Sequence, residues 1–272
     1  MPLPTPAPDR TALVTGASSG IGDAIARDLA ARGHGVTLVA RREDKLLALA
    51  EELRSTGVRT EVLVADLGDR AVRAELPARV EALGLTVDLL VNNAGLSTMG
   101  PVATADPEAE LHMLEVDVAA VVDLCTRFVP GMVERRRGAV LNVASTGAFQ
   151  PLPGQAGYGA SKAFVLSYTR SLGGELRGTG VSATTLCPGP VHTGFGQAAG
   201  LTSEESQGAL PAFMWEPVES VAKCGVDAVA AGRPVAIPGP VNRVAAAFAQ
   251  IAPKQLLVPL IASRHPALRN RR

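Results

Sequence analysis

The sequence predicts an α/β protein: a doubly wound, mostly parallel seven-stranded sheet with helices on both faces, in a single domain. Three observations predict it. Short apolar runs alternate with longer amphipathic stretches along 11–240. The early runs are continuously apolar, the mark of strands buried on both faces. The chain has 272 residues, enough to bury a large core without disulfide or metal staples.

TALVT (11–15) reads as the first strand, and IGDAIARDLAARG (21–33) as a helix ending on Gly33. GVTLVA (35–40) is a strand followed by a helix over 43–55, and TEVLVAD (60–66) is a strand followed by a helix over 69–83. VDLLVNN (87–93) leads into one long helix over 107–136. GAVLNVAS (138–145), a helix over 155–177, VSATTLCP (181–188) and PVAIPG (234–239) complete the alternation. Strands separated by helices imply right-handed crossovers and a parallel sheet. Residues 1–10 hold four prolines and no apolar core, so a disordered tail is expected there. Residues 194–232 carry an insertion that interrupts the alternation; it reads either as a lid over the strand ends or as ordinary surface helices. Residues 241–272 form a basic, apolar extension.

Composition narrows the function. Lys plus Arg and Asp plus Glu both number 26, without the basic excess of a nucleic-acid binder. Aromatics are 3%, too few for a base-stacking platform. Three widely spaced cysteines and four histidines offer no metal-ligand spacing, and a reducing, cytoplasmic location is expected. No signal peptide or apolar span is read in the chain.

The first strand runs into Gly16-Ala17-Ser18-Ser19-Gly20-Ile21-Gly22. Glycines at 16, 20 and 22 let the backbone approach a pyrophosphate, and the following helix N-terminus offers free N–H groups to it. After the second strand an acidic residue would select the ribose hydroxyl of NAD. Arg41 and Arg42 stand there instead. Either they pair with a 2′-phosphate, Arg41 foremost, which selects NADP, or they solvate a helix start. Tyr158 and Lys162, four apart, share one face of a helix. A lysine cation beside a phenol favours phenolate, so Tyr158 can pass a proton to or from a substrate oxygen. Ser145, at a strand end, can hold that oxygen.

TGASSGIG (15–22), NNAG (92–95), Ser145 and YGASK (158–162) together resemble the short-chain dehydrogenases/reductases over about 10–240. The resemblance implies a Rossmann-type domain, a nicotinamide cofactor, hydride transfer between carbonyl and alcohol, and a homodimer or homotetramer. It implies cofactor contacts from Asp66, Leu67, Asn93, Ala94 and Gly95, and from Pro188, Gly189, Val191 and Thr193. It gives Asn92 the task of bracing the sheet, and it leaves open whether Asp66 also caps a helix. Thr98, Phe149 and Gly189 are expected to line the substrate space with Ser145 and Tyr158. Few charges fall among these positions, which suggests an apolar substrate. One departure is Asp117, where the family usually carries Asn with a backbone carbonyl that serves a proton relay; the added carboxylate is expected to sit near Lys162 in a wet site. The leading function is therefore NADP-dependent oxidation and reduction. An NADP-binding redox sensor without turnover is the alternative.

After Asp227 the sequence has no acidic residue, while Arg233, Arg243, Lys254, Arg264, Arg269, Arg271 and Arg272 are basic. The segment reads as an oligomer-packing helix with a solvated tail, or as a contact with an anionic membrane surface.

Overall fold

Seven apolar runs pair as parallel strands in the order β3-β2-β1-β4-β5-β6-β7. They are β1 (Arg10–Thr15), β2 (Val36–Ala40), β3 (Thr60–Val64), β4 (Thr86–Asn92), β5 (Gly138–Val143), β6 (Val181–Leu186) and β7 (Val235–Ala236). In this computed structural model, residues 3–195 and 211–264 are described, with Leu268. Successive residues of β1 face opposite sides: Leu13 joins one apolar core, and Ala12 and Val14 join the other. Both faces therefore need helices. Helices α1 (Gly20–Ala31) and α2 (Glu43–Arg54) cover one face, and α3 (Arg70–Ala82) the other. The chain moves outward from β1 to β3, then returns to β4 on the far side of β1. That reversal leaves a crevice at the carboxyl ends of β1 and β4, where open sheets of this kind bind ligands.

The predicted helix over 107–136 is interrupted. Regular helix runs over α4 (Pro107–Leu114) and α5 (Ala120–Glu134), with a π-helical turn at Glu115–Ala119 between them. The turn directs Asp117 inward, where it is 1% exposed. Charge holds the outer side: Arg73 of α3, 2% exposed, pairs with Glu115 at 3.1 Å and Asp123 at 3.1 Å, and donates to the Leu67 carbonyl. Asp69, rather than Asp66, caps α3 by accepting from the Ala71 and Val72 amides.

Asn92 bridges β4 to β5 by donating to the Asn142 side chain at 2.9 Å, and Asn142 donates in turn to Thr169 of α6 (Ala156–Glu175) at 2.9 Å. This is the bracing role expected of Asn92.

The amino-terminal tail departs from expectation. Leu3 packs against the core, Arg137 donates to the Thr5 carbonyl, and the Thr86 amide donates to the Asp9 carbonyl at 2.9 Å. Residues 3–9 are thus docked at the amino-terminal ends of the central strands β1 and β4 instead of free. The 194–232 insertion divides. Residues 196–210 lie outside the described residues, while α7 (Val218–Ala230) buries Val221, Ala222, Gly225 and Val226 against the sheet and packs on α1. Helix α7 is part of the core and not part of a lid. The extension forms α8 (Pro240–Ile251) and α9 (Lys254–Arg264).

Candidate active site

The Gly-rich turn joins β1 to α1. Gly16 and Gly20 have φ of +65° and +61°, a conformation that side-chain-bearing residues rarely adopt. A Cβ on Gly22 would come within 2.4 Å of Asn93 Nδ2 and of the Gly16 carbonyl. Glycine is therefore required for backbone to lie this close. Ser19 precedes α1 without capping it through its side chain, so the first helical N–H groups remain directed at the crevice. Thr15 Oγ1 donates to the Val91 carbonyl at 3.1 Å and accepts from the Asn93 and Ala94 amides at 2.9 and 3.1 Å. Asn93 Nδ2 donates to the Thr15 carbonyl at 2.9 Å. The ends of β1 and β4 are thereby locked into one wall. Thr193 forms the opposite rim: a Cβ on Gly20 would sit 3.1 Å from its methyl group. This glycine cradle and the uncapped helix start fit a dinucleotide pyrophosphate.

Both expected basic residues, Arg41 and Arg42, are exposed at the end of β2. Arg42 reaches the Gly-rich turn, where its guanidinium donates to Ser18 Oγ at 2.9 Å and Ser19 Oγ at 2.7 Å. Asp66 accepts from the Gly68 amide at 2.9 Å, and Leu67 is buried beside it. Both close the end of the crevice where β3 stops.

At the other end, Tyr158, Ser145 and Lys162 converge. Ser145 Oγ accepts from the Gly147 amide at 3.0 Å, and its hydroxyl lies near enough to the Tyr158 phenol to favour the phenolate. Lys162 Nζ lies 5.6 Å from the Tyr158 ring centre and 2.8 Å from Asp117 Oδ2. Asp117 Oδ1 also accepts from the Leu96 amide at 2.7 Å. Gly95 leaves room for this pair, because a Cβ there would meet Lys162 Nζ at 3.1 Å. The expected proximity of Asp117 and Lys162 is present, but the site is dry: the two side chains are 0% and 5% exposed. Asp117 is thus a positioning residue for Lys162.

Burial raises the Tyr158 pKa. The Lys162 charge and the Ser145 hydrogen bond oppose that, Asp117 reinforces it, and the net displacement is upward. For Lys162, burial works downward, but attraction by Asp117 and by Tyr158 outweighs it and holds the ammonium charged.

Residues expected to line the substrate space separate. Gly189 and Thr98 lie half-buried, Thr98 making a weak contact with Met113 sulfur at 3.6 Å. Phe149 is 7% exposed and belongs to the core; with Leu152, Gly159 and Ala163 it lines a groove of about 570 Å³ that includes none of Ser145, Tyr158 and Lys162. Phe195 packs beside Tyr158, the two ring centres 5.9 Å apart. Pro188 is buried, and Val191 pairs with Glu216 through a parallel bridge.

Sequence reasoning missed Asn242. From α8 it reaches back under the site, 1% exposed, and donates to the Met214 carbonyl at 3.0 Å. A Cβ on Gly189 would fall 2.5 Å from its side chain. The available signal was one polar residue in the 242, 246, 249 row of an otherwise small, apolar helix face.

Residues 10–204 match the family model for short chain dehydrogenases. The chain belongs to that family. Over 220 residues it is 35% identical to an NADP-dependent 3-hydroxy acid dehydrogenase of Salmonella typhi, covering 77% of this chain and 88% of that one. A short-chain dehydrogenase from Sphingobium yanoikuyae, solved in complex with NADPH, superposes with a TM-score of 0.78 at 31% identity, covering 92% and 95% of the two chains. A variant of actinorhodin polyketide ketoreductase, solved with NADPH, gives a TM-score of 0.76 at 32% identity over 84% and 95%. These solved proteins thus share the fold on which the site of this chain is built.

Proposed function

We propose that the protein is an NADP-dependent oxidoreductase that interconverts a carbonyl and a secondary alcohol on an apolar substrate. The observation that carries this reading is the convergence of Ser145, Tyr158 and Lys162 at the end of a glycine cradle. Arg42, with Arg41 beside it, supplies charge where a 2′-phosphate would lie; the Salmonella relative is NADP-dependent, and the Sphingobium protein was solved with NADPH bound. Bound NADPH supplies the hydride.

The chain's own residues do the rest. Ser145 accepts from the Gly147 amide, which leaves its hydroxyl proton for the substrate oxygen. Tyr158 delivers its phenolic proton to that oxygen as negative charge develops there. The Lys162 ammonium stabilises the phenolate left behind. In the oxidative direction the phenolate takes the proton back. Phe195, partly exposed with its ring beside Tyr158, offers an apolar contact to a group on the substrate carbon. Intact geometry at all three residues favours turnover over a sensing role.

The test is NADPH oxidation over a panel of 3-oxoacyl thioesters, ketones, aldehydes and quinones. Tyr158→Phe should lower the rate on any active substrate about 10²–10⁴-fold, and undiminished turnover would remove Tyr158 as proton donor. Arg42→Ala should weaken NADPH about tenfold or more and NADH little in a binding titration, as expected for a lost charged hydrogen bond. Equal losses for both cofactors would refute the phosphate role.

A further inference from the structure

Helix α8 is amphipathic in an unusual sense: its outward face is the apolar one. Asn242, Ala246 and Ala249 are buried against the domain. On the opposite side Val244, Phe248 and Ile251 are 71%, 59% and 82% exposed, and Val241 continues the row. The spacing 241, 244, 248, 251 keeps all four on one stripe. Helix α9 adds exposed Leu256 and Leu260. Contiguous apolar surface of this kind marks a place where something docks.

We infer that this face seats on an anionic lipid surface. Charge decides the occupant. Arg243 and Lys254 are exposed and pair with no carboxylate among the described residues, although Lys254 Nζ donates to the Ala249 carbonyl near the end of α8. From Asp227 to the end of the sequence seven basic residues occur and no acidic one. Glu216, from a neighbouring segment, lies against Gly239 under the start of α8. A second copy brought onto this stripe across a two-fold axis would set these unpaired cations against themselves. Lipid headgroups bearing negative charge would instead pair with them while the apolar row enters the acyl boundary. No helix among the described residues is long and apolar enough to cross a membrane, so the contact is with the surface only. The buried side of the same helix holds the Met214 carbonyl and packs on Gly189, which places the lipid-facing element directly behind the candidate site.

Co-sedimentation with vesicles tests this, using phosphatidylcholine alone and phosphatidylcholine mixed with phosphatidylglycerol. The full chain should pellet at least about tenfold more with the anionic vesicles, and the difference should collapse at about 0.5 M salt, where charges are screened over a few ångströms. Phe248→Ser with Ile251→Ser should lose the pelleting by about tenfold, and so should Arg243→Glu with Lys254→Glu, while both retain cofactor binding in solution. Equal pelleting on the two vesicle types, or variants that pellet like the parent, would overturn the inference. So would an oligomer, measured by light scattering without lipid, that dissociates in the serine variant: that result assigns the stripe to a second copy.

Discussion

The π-helical turn at Glu115–Ala119 sends two carboxylates in opposite directions, and they meet different physics. Asp117 points into the site and pairs with Lys162 with almost no access to water. Glu115 points outward to Arg73 and to Arg70, which is 77% exposed. Inside, the attraction is strong because water is excluded, but leaving either ion alone is costly. Outside, water screens Arg70 and reaches Glu115 although Arg73 itself is buried, and the contact serves mainly to hold α3 against the turn. One local irregularity thus builds both an electrostatic setting for proton transfer and the clasp that keeps it in place.

The largest expected effect is on the inner pair. Asp117→Leu strands the Lys162 ammonium in a dry site and should cost about 3–5 kcal/mol of stability, measured by urea unfolding. Replacing Lys162 by Met in the same chain should restore much of that loss, since an apolar pair of similar volume is tolerated. A single-variant loss below about 1 kcal/mol would show that the pair is wetter than its burial indicates.

Arg73→Met should come next, at about 2–3 kcal/mol, because the Leu67 carbonyl loses its donor and a buried side chain is repacked. The loss stays smaller than for Asp117→Leu, since Glu115 keeps Arg70 and Asp123 keeps Arg127 at 2.6 Å. A loss exceeding that of Asp117→Leu would reverse the ranking of the two sides.

Asp117→Asn sharpens the comparison through chemistry instead of stability. Asp117 reinforces the upward displacement of the Tyr158 pKa. Removing its charge should therefore ease phenolate formation and move the rising limb of the oxidative pH–rate profile to lower pH. Because Tyr158 and Lys162 titrate as a coupled set, the limb reports the set as a whole. An upward displacement would mean that Lys162 surrenders its proton once the carboxylate is gone, making Asp117 essential to its charge.

Sequence made the strands and the crevice legible, because continuous apolar runs and glycines at 16, 20 and 22 each have one physical use. It made the nearness of Asp117 to Lys162 legible through family spacing, but not its dryness. A five-residue π turn barely alters apolar periodicity, so 107–136 read as one helix and Asp117 was left on a solvated face. Neighbouring Arg41 and Arg42 are indistinguishable in a sequence; the start of α2 at Glu43 sends only the second toward Ser18 and Ser19. Residues 3–9 looked disordered because proline content says nothing of Arg137, 132 positions from the Thr5 carbonyl it binds. Asn242 gave almost no signal, because its purpose depends on Gly189 and Met214 from other segments.

The smallest effect belongs to the outer carboxylate. Hydrogen bonding from Arg70 is the first cause that holds the Glu115 pKa below its usual value; burial opposes it, and the Arg73 hydrogen bond and the charges of both arginines add to the lowering. A depressed carboxylate pKa contributes stability that is complete above the unfolded-state value and is lost as pH falls through the folded-state value. Glu115→Gln should therefore lower Tm near neutral pH, by no more than about 2 °C given the exposure of the pair. The parent and the variant should converge as pH falls through the depressed folded-state value, below which Glu115 is protonated in either state. A neutral-pH loss of the size expected for Arg73→Met would place Glu115 with the buried ions and erase the contrast between the two sides of the turn. A difference that grew in acid would show that another carboxylate, with Asp123 foremost, carries the attraction to Arg73.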